Sequence, residues 1–146
     1  MTVANDLGRV ADLCGVGAKQ TLAVMLALGP KPAAPGEALL WEQQMTRLQG
    51  QLNSLTSLNA KLVAASVIAG LQDFAAELQK VGAVSKAAQA RIKKIKEISD
   101  LLTKLAKVLD LGLALLAAAA APSPATIGAV VTAGAAVAKD IGAAEE

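Results

Sequence analysis

The chain predicts an all-α fold: an elongated antiparallel hairpin of two long helices, with two shorter helices completing a four-helix base at one end. Three observations lead there. The apolar fraction is 54%, yet Trp41 and Phe74 are the only aromatic residues and tyrosine is absent. Alanine and leucine therefore supply most of the bulk, and both favour helices, whereas strands draw on β-branched and aromatic residues in alternation with polar ones. Apolar side chains recur instead at steps of three and four. Prolines and glycines collect at 29–36 and 122–124, where a helix must stop. A chain of 146 residues is long enough to bury one core, so 1–146 is read as a single helical domain.

The first helix is expected over about 5–28. Val10, Leu13, Val16, Leu22, Met25 and Leu26 keep helical spacing, and Gly8, Gly15 and Gly17 weaken it. The segment Gly29–Gly36, with three prolines and two glycines, is a connector. A second helix is expected over 37–81. Its Trp41, Met45, Leu48, Leu52, Leu55, Leu58 and Leu62 follow one another at steps of three or four, close to the 3.5-residue repeat of a seam between paired helices. The flanks of that seam are Gln, Asn, Ser and Thr with few charges, which suits a helix partly covered by neighbours or by other copies. Gly82 offers the stop.

Ser85 is the expected N-cap of a third helix over 85–121. Ile92, Ile95, Ile98, Leu102, Leu105 and Leu109 line one face of it, and Lys93, Lys94, Glu97, Asp100, Lys104 and Lys107 the other. Asp100 and Lys104 stand four apart with the acid first, the better order for a helical ion pair. Ser123-Pro124 then opens a fourth helix over 124–143, because proline at the first helical position lacks only a donor that would be unpaired there. At 1.5 Å per residue the second and third helices would be roughly 65 and 55 Å long and the first and fourth roughly 35 and 30 Å. A turn near 81–86 would then cap a two-helix stalk. Residues 113–138 are expected in the base, and the basic run at 91–96 on the stalk near its tip.

The chemistry available is narrow. Histidine is absent and Cys14 is the sole cysteine. That removes the commonest general base, Ser-His and Cys-His nucleophile pairs, a zinc set and an intrachain disulfide. The twelve acids are scattered, mostly at outward-facing positions. No catalytic residue, cofactor or metal is expected, and the chain is read as not an enzyme. Gly15-Val-Gly17-Ala-Lys19-Gln-Thr21 departs from the phosphate loop, which needs glycine directly before the lysine and a strand before the loop. Cys14 is read as a small buried hydrophobe.

Net charge is +2, so nothing in the global balance calls for nucleic acid. The densest basic run, Arg91, Lys93, Lys94 and Lys96, reads first as a solvated helix face. Anionic lipid headgroups come second, and nucleic acid last, because no aromatic residue interleaves the run to stack bases. The start MTVANDLGRV lacks the basic segment and apolar core of a secretory signal. The expected location is cytoplasmic by default, with membrane association or signal-independent export as the alternatives.

Residues 111–138 contain no charge, a length that would span a bilayer. Pro122-Ser123-Pro124 breaks the stretch into halves too short to cross alone, which leaves a helical hairpin. Leu113 and Leu116 lie before the break. Pro122 and Pro124 form it, and Ala125, Ala129 and Ala133, with Gly134 and Ala138 on a neighbouring stripe, follow at four-residue intervals that let backbones approach closely. A segment apolar all round is core, interface or membrane. The leading expectation is a helical assembly protein, a scaffold or structural subunit. It would self-associate as a homo-oligomer or bind a helical protein partner through the seam Trp41, Met45, Leu48, Leu52, Leu55 and Leu62 and through the small-residue stripes. No small-molecule substrate is expected. The alternative follows from a resemblance: a long helical hairpin over 37–110 joined to a proline-centred apolar hairpin over 111–138 resembles the general plan of α-helical pore-forming toxins. That resemblance implies a membrane-active effector inserting 111–138.

Overall fold

A computed structural model describes residues 3–65 and 69–141. Among these the chain is entirely helical, with five α-helices and one 310 turn: α1 (Val3–Ala27), α2 (Pro35–Ala65), the 310 turn (Ala69–Phe74), α3 (Ala75–Ile92), α4 (Ile98–Ala120) and α5 (Pro124–Ile141). The predicted helical class is what forms. The expected long third helix is not.

The first connection follows the sequence closely. α1 ends at Ala27, and Gly29 adopts φ +69°, a left-handed conformation that glycine enters without a Cβ penalty. The Trp41 indole N–H donates to the Gly29 carbonyl at 3.1 Å, pinning the connector to the start of α2. Pro35 opens α2 and Glu37 sits in its first turn, where a carboxylate favours the positive end of the helix dipole.

The second and third connections depart from expectation. The helix expected to reach 81 ends at Ala65, and the 310 turn carries the fully buried Leu71 into the core. Gly82 does not stop a helix. It lies inside α3, and a Cβ there would strike the carboxyl group of Asp6. Its lack of a side chain is used for close approach of α1 and α3, a tertiary requirement that overrides the local signal. Ser85 is accordingly no cap: it is buried in mid-helix, and its hydroxyl donates to the Val81 carbonyl at 2.9 Å. The true reversal falls at 93–97, where Lys94 N–H donates to Arg91 O and Ile95 N–H to Ile92 O at 3.1 Å each. No proline or glycine marks that site. Ile92 and Ile95 are both buried there while Lys93, Lys94 and Lys96 stay exposed. A continuing helix would also place 92 and 95 on one face, so this separation does not by itself account for the turn.

The last boundary is as predicted. Ser123 Oγ accepts from the Thr126 N–H at 3.1 Å, and the Ser123 N–H donates to Thr126 Oγ1 at 3.0 Å. This reciprocal pair satisfies donors at the start of α5, with Pro124 as its first residue. The fourth helix was expected to run to 143; residues 142 and 143 lie outside the described part of the chain.

The helices alternate in direction and form one bundle. α1 packs against α2, α3 and α4, while α5 packs against α3 and α4. Neighbours are tied in register by side-chain amides that donate to backbone carbonyls: Asn59 to Ala11 at 2.6 Å, Gln20 to Ile95 at 2.5 Å, Gln89 to Arg9 and Gln51 to Leu102 at 3.4 Å each. Of the uncharged polar residues that flank the α2 seam, Gln51 and Asn59 thus serve contacts within the chain. α1 is the centre. Leu7, Leu13 and Cys14 have no exposed surface, and Gly17 admits Leu105 from α4 and Leu55 from α2 so closely that an added Cβ would lie 2.8 Å from Leu105. Gly112 of α4 makes the same concession to Leu58. No two-helix stalk projects from this packing, so 113–138 occupy one side of the bundle and 91–96 its end.

Candidate functional site

The seam residues are mostly spent inside the molecule. Leu48, Leu55, Leu58 and Leu62 are buried, and Leu52, Met45 and Trp41 are half-buried. Their partners are α1 and α4 of the same chain. The periodicity read from sequence reports a core face.

The 111–138 hairpin divides into an inner and an outer surface. Leu111, Leu115, Ala118, Ile127, Val130 and Val137 are buried. Gly134 is buried against Val81, which an added Cβ would approach to 3.2 Å. The other small-residue stripe faces outward. Ala125 and Ala129 are exposed, as are Pro122 and Pro124, and Ala133, Ala138 and Leu116 are half-buried. Leu113 is 58% exposed and Val131 40%. Exposed Ala117, Ala120, Ala121, Gly128, Thr132 and Ala135 complete an outer face across two adjacent helices that carries no charge between Asp110 and Lys139.

Between the parallel helices α2 and α4 runs a shallow trough. Three adjoining hollows of about 750, 630 and 410 Å³ follow it, from Leu39, Leu40, Ile98 and Leu102 at one end to Ser57, Leu109, Leu113 and Leu116 at the other. At the middle its α2 wall is polar, with Thr46, Arg47, Gln51 and Ser54 around Gly50. Reactive groups do not converge there.

Arg91, Lys93, Lys94 and Lys96 come together at the α3–α4 turn, where the three lysines are exposed and Arg91 is half-buried. This is the end of the bundle at which α1 finishes and α2 begins. Sequence spacing placed Leu22 and Leu26 on the apolar face of α1, but both point away from the core, at 46% and 74% exposure. Leu39 and Leu40, which the seam pattern left aside, are 57% and 55% exposed at the start of α2. Helical spacing alone could not reveal this, because Thr21 and Val24 of the same turns are buried and the side of α1 that its neighbours cover is set by tertiary packing.

Two buried groups have unusual surroundings. Asp6 is an exception to the outward-facing acids: it is 3% exposed, and its Oδ1 has no hydrogen-bond partner among the described residues. The Arg9 guanidinium stands 3.9 Å away. Burial pushes the Asp6 carboxyl above its ordinary range, and Arg9 opposes this only in part. Cys14 is fully buried, and desolvation pushes its thiol up to about 12, so it behaves as a small hydrophobe rather than a nucleophile. The glycines of the Gly15–Thr21 segment lie within α1, and the Thr21 hydroxyl donates to the Gly17 carbonyl at 2.8 Å. No phosphate cradle can form from that geometry. Among the described residues, no three Cys, Asp or Glu side chains gather into a group that could hold a metal ion. Of the described helices, only α1 is long and apolar enough to cross a membrane; its Val3, Leu7, Val10, Leu13 and Val24 are buried in the core, whereas Leu22 and Leu26 are exposed.

No protein-family model matches the chain, and neither curated proteins nor solved structures show significant similarity to it.

Proposed function

We propose that the chain is a non-enzymatic assembly protein that associates with a second copy through the outer face of α4 and α5. One observation carries the reading: the exposed residues of 113–138 form an uncharged, small-residue surface continuous over two helices. The side chains of Ala125, Gly128, Ala129 and Thr132 let a facing helix approach closely. The leucine seam is engaged within the chain, so assembly falls to this face instead. A scaffold or structural subunit needs only such a self-complementary surface, repeated by symmetry.

Light scattering coupled to size-exclusion chromatography tests this. The chain should elute as a dimer or larger species, and Ala129→Arg should shift it to monomer with unchanged circular dichroism, because Ala129 is exposed. A wild-type monomer over a wide concentration range overturns the proposal.

The same uncharged surface supports a second reading, a membrane-active effector in which the α4–α5 hairpin leaves the bundle and inserts. Dye release from vesicles, suppressed in Ala129→Arg by the cost of a charge in the bilayer, separates this from assembly in water.

A further inference from the structure

We propose that the end of the bundle formed by the close of α1, the start of α2 and the α3–α4 turn docks on an anionic lipid surface. This surface is distinct from the α4–α5 face.

Four of the most exposed large apolar residues gather at this end. Leu22 and Leu26 lie one turn apart on the outer face of α1, and Leu39 and Leu40 lie just past the connector on α2. Leu26 is the most exposed large apolar residue described, at 74%. Gln20 is hydrogen-bonded to the carbonyl of Ile95, which fixes the level of the lysine turn along α1. Six residues further, Leu26 stands about 9 Å beyond that level at 1.5 Å per residue. Leu26 therefore projects past the turn, while Leu39 and Leu40 stand beside the start of α4, around a hollow shared with Ile98 and Leu102.

The turn supplies the charge. Lys93, Lys94 and Lys96 are exposed, as is Lys19 one turn before Leu22, and none of the four forms an ion pair with a described carboxylate. The nearby acids are largely answered already: Glu42 pairs with Lys31, and Asp100 with Lys104 at 3.1 Å. Glu37 and Glu97 remain, which leaves the end positive. Exposed leucines backed by lysines are the arrangement by which a helical surface sits in a bilayer interface, apolar tips among the acyl chains and ammonium groups at the phosphates.

The test is co-sedimentation of the full chain with vesicles of phosphatidylcholine alone and of phosphatidylcholine containing about a third phosphatidylglycerol. Trp41, the sole tryptophan, is half-buried at this end and reports docking by a blue shift of its emission. Binding is expected to the anionic vesicles only, weakening as salt rises. Each lysine at an anionic surface raises partitioning roughly fivefold, so Lys93→Gln with Lys94→Gln and Lys96→Gln should lower it about a hundredfold. Leu22→Asp with Leu26→Asp should abolish the tryptophan shift. All five positions are exposed, so circular dichroism should stay unchanged. No binding to anionic vesicles overturns the proposal. So does binding that survives both variants, or that is lost only in Ala129→Arg, which would place the contact on α4–α5. If the leucine variant changes the oligomeric state and vesicles are ignored, the end is an interface between copies, and the lipid proposal falls while self-association stands.

Discussion

Replacing Asp6 by asparagine should stabilise the protein at neutral pH. The carboxyl group is buried where α1 meets α3, with Gly82 against it and Oδ1 unpartnered among the described residues. A buried acceptor left unsatisfied costs about 1–3 kcal/mol, and more if charged. Asparagine keeps the shape and removes the charge. It also gives up the attraction of Arg9, but that group is 3.9 Å away with a partly exposed side chain, so solvent screening leaves its contribution well below about 1 kcal/mol. The net gain expected is about 1 kcal/mol, equivalent to a rise in Tm of roughly 2–4 °C for a chain of this size.

The pH dependence gives a second signature. Burial raises the Asp6 carboxyl in the folded state above its ordinary value of 3.8, so the folded protein holds this proton more tightly than the unfolded chain. Its contribution favours folding most below 3.8 and is lost as pH rises through the folded value. Urea unfolding followed by circular dichroism across that range should therefore show a wild-type stability that falls toward neutrality, with the Asp6 component missing in the asparagine variant. A variant less stable at neutral pH, with the same slope as wild type, would mean that Asp6 is well solvated or paired when ionised, and would refute the reasoning.

Other outcomes follow from the same contacts. Gly82→Ala should destabilise by about 1–3 kcal/mol through overpacking against Asp6, and much less in an Asp6→Ala background, a coupling that a double-mutant cycle measures. Gly112→Ala should also destabilise, because the displacement of buried Leu58 outweighs the gain of about 1 kcal/mol in helix propensity. Ser123→Ala removes the cap on α5 and should cost about 1 kcal/mol in chemical denaturation. Cys14 should resist a thiol reagent while the protein is folded and react promptly in denaturant, since its thiol is enclosed and protonated; fast labelling under native conditions would contradict its place in the core.

What the sequence revealed depended on whether a signal was local. The Gly29 stop and the Ser123-Pro124 start are written in backbone chemistry, and both boundaries fall where that chemistry puts them. The Asp100–Lys104 pair is likewise local. Gly82 carries the same letter as a helix stop but serves a contact with Asp6, some seventy-six positions away. The reversal at 93–97 has no breaker residue at all, and the spacing of Ile92 and Ile95, three apart on one face of a helix, gave no sign of it. For the candidate surfaces, the lack of charge over 111–138 was legible, whereas the side of each helix that faces out was not. Leu22 and Leu26 share the spacing of core residues, and only the placement of the neighbours leaves them uncovered.

The position of α1 has a consequence for how the molecule opens. Because α2, α3 and α4 all rest on it, any excursion that frees α1 exposes three interfaces together and amounts to unfolding the whole. α5 rests mainly on α3 and α4, so it can lift away while the remaining four keep most of their shared interior. Amide exchange should thus divide the chain in two. α1 would exchange solely through the global event, with the slowest and most denaturant-sensitive rates, and α5 through a cheaper partial one.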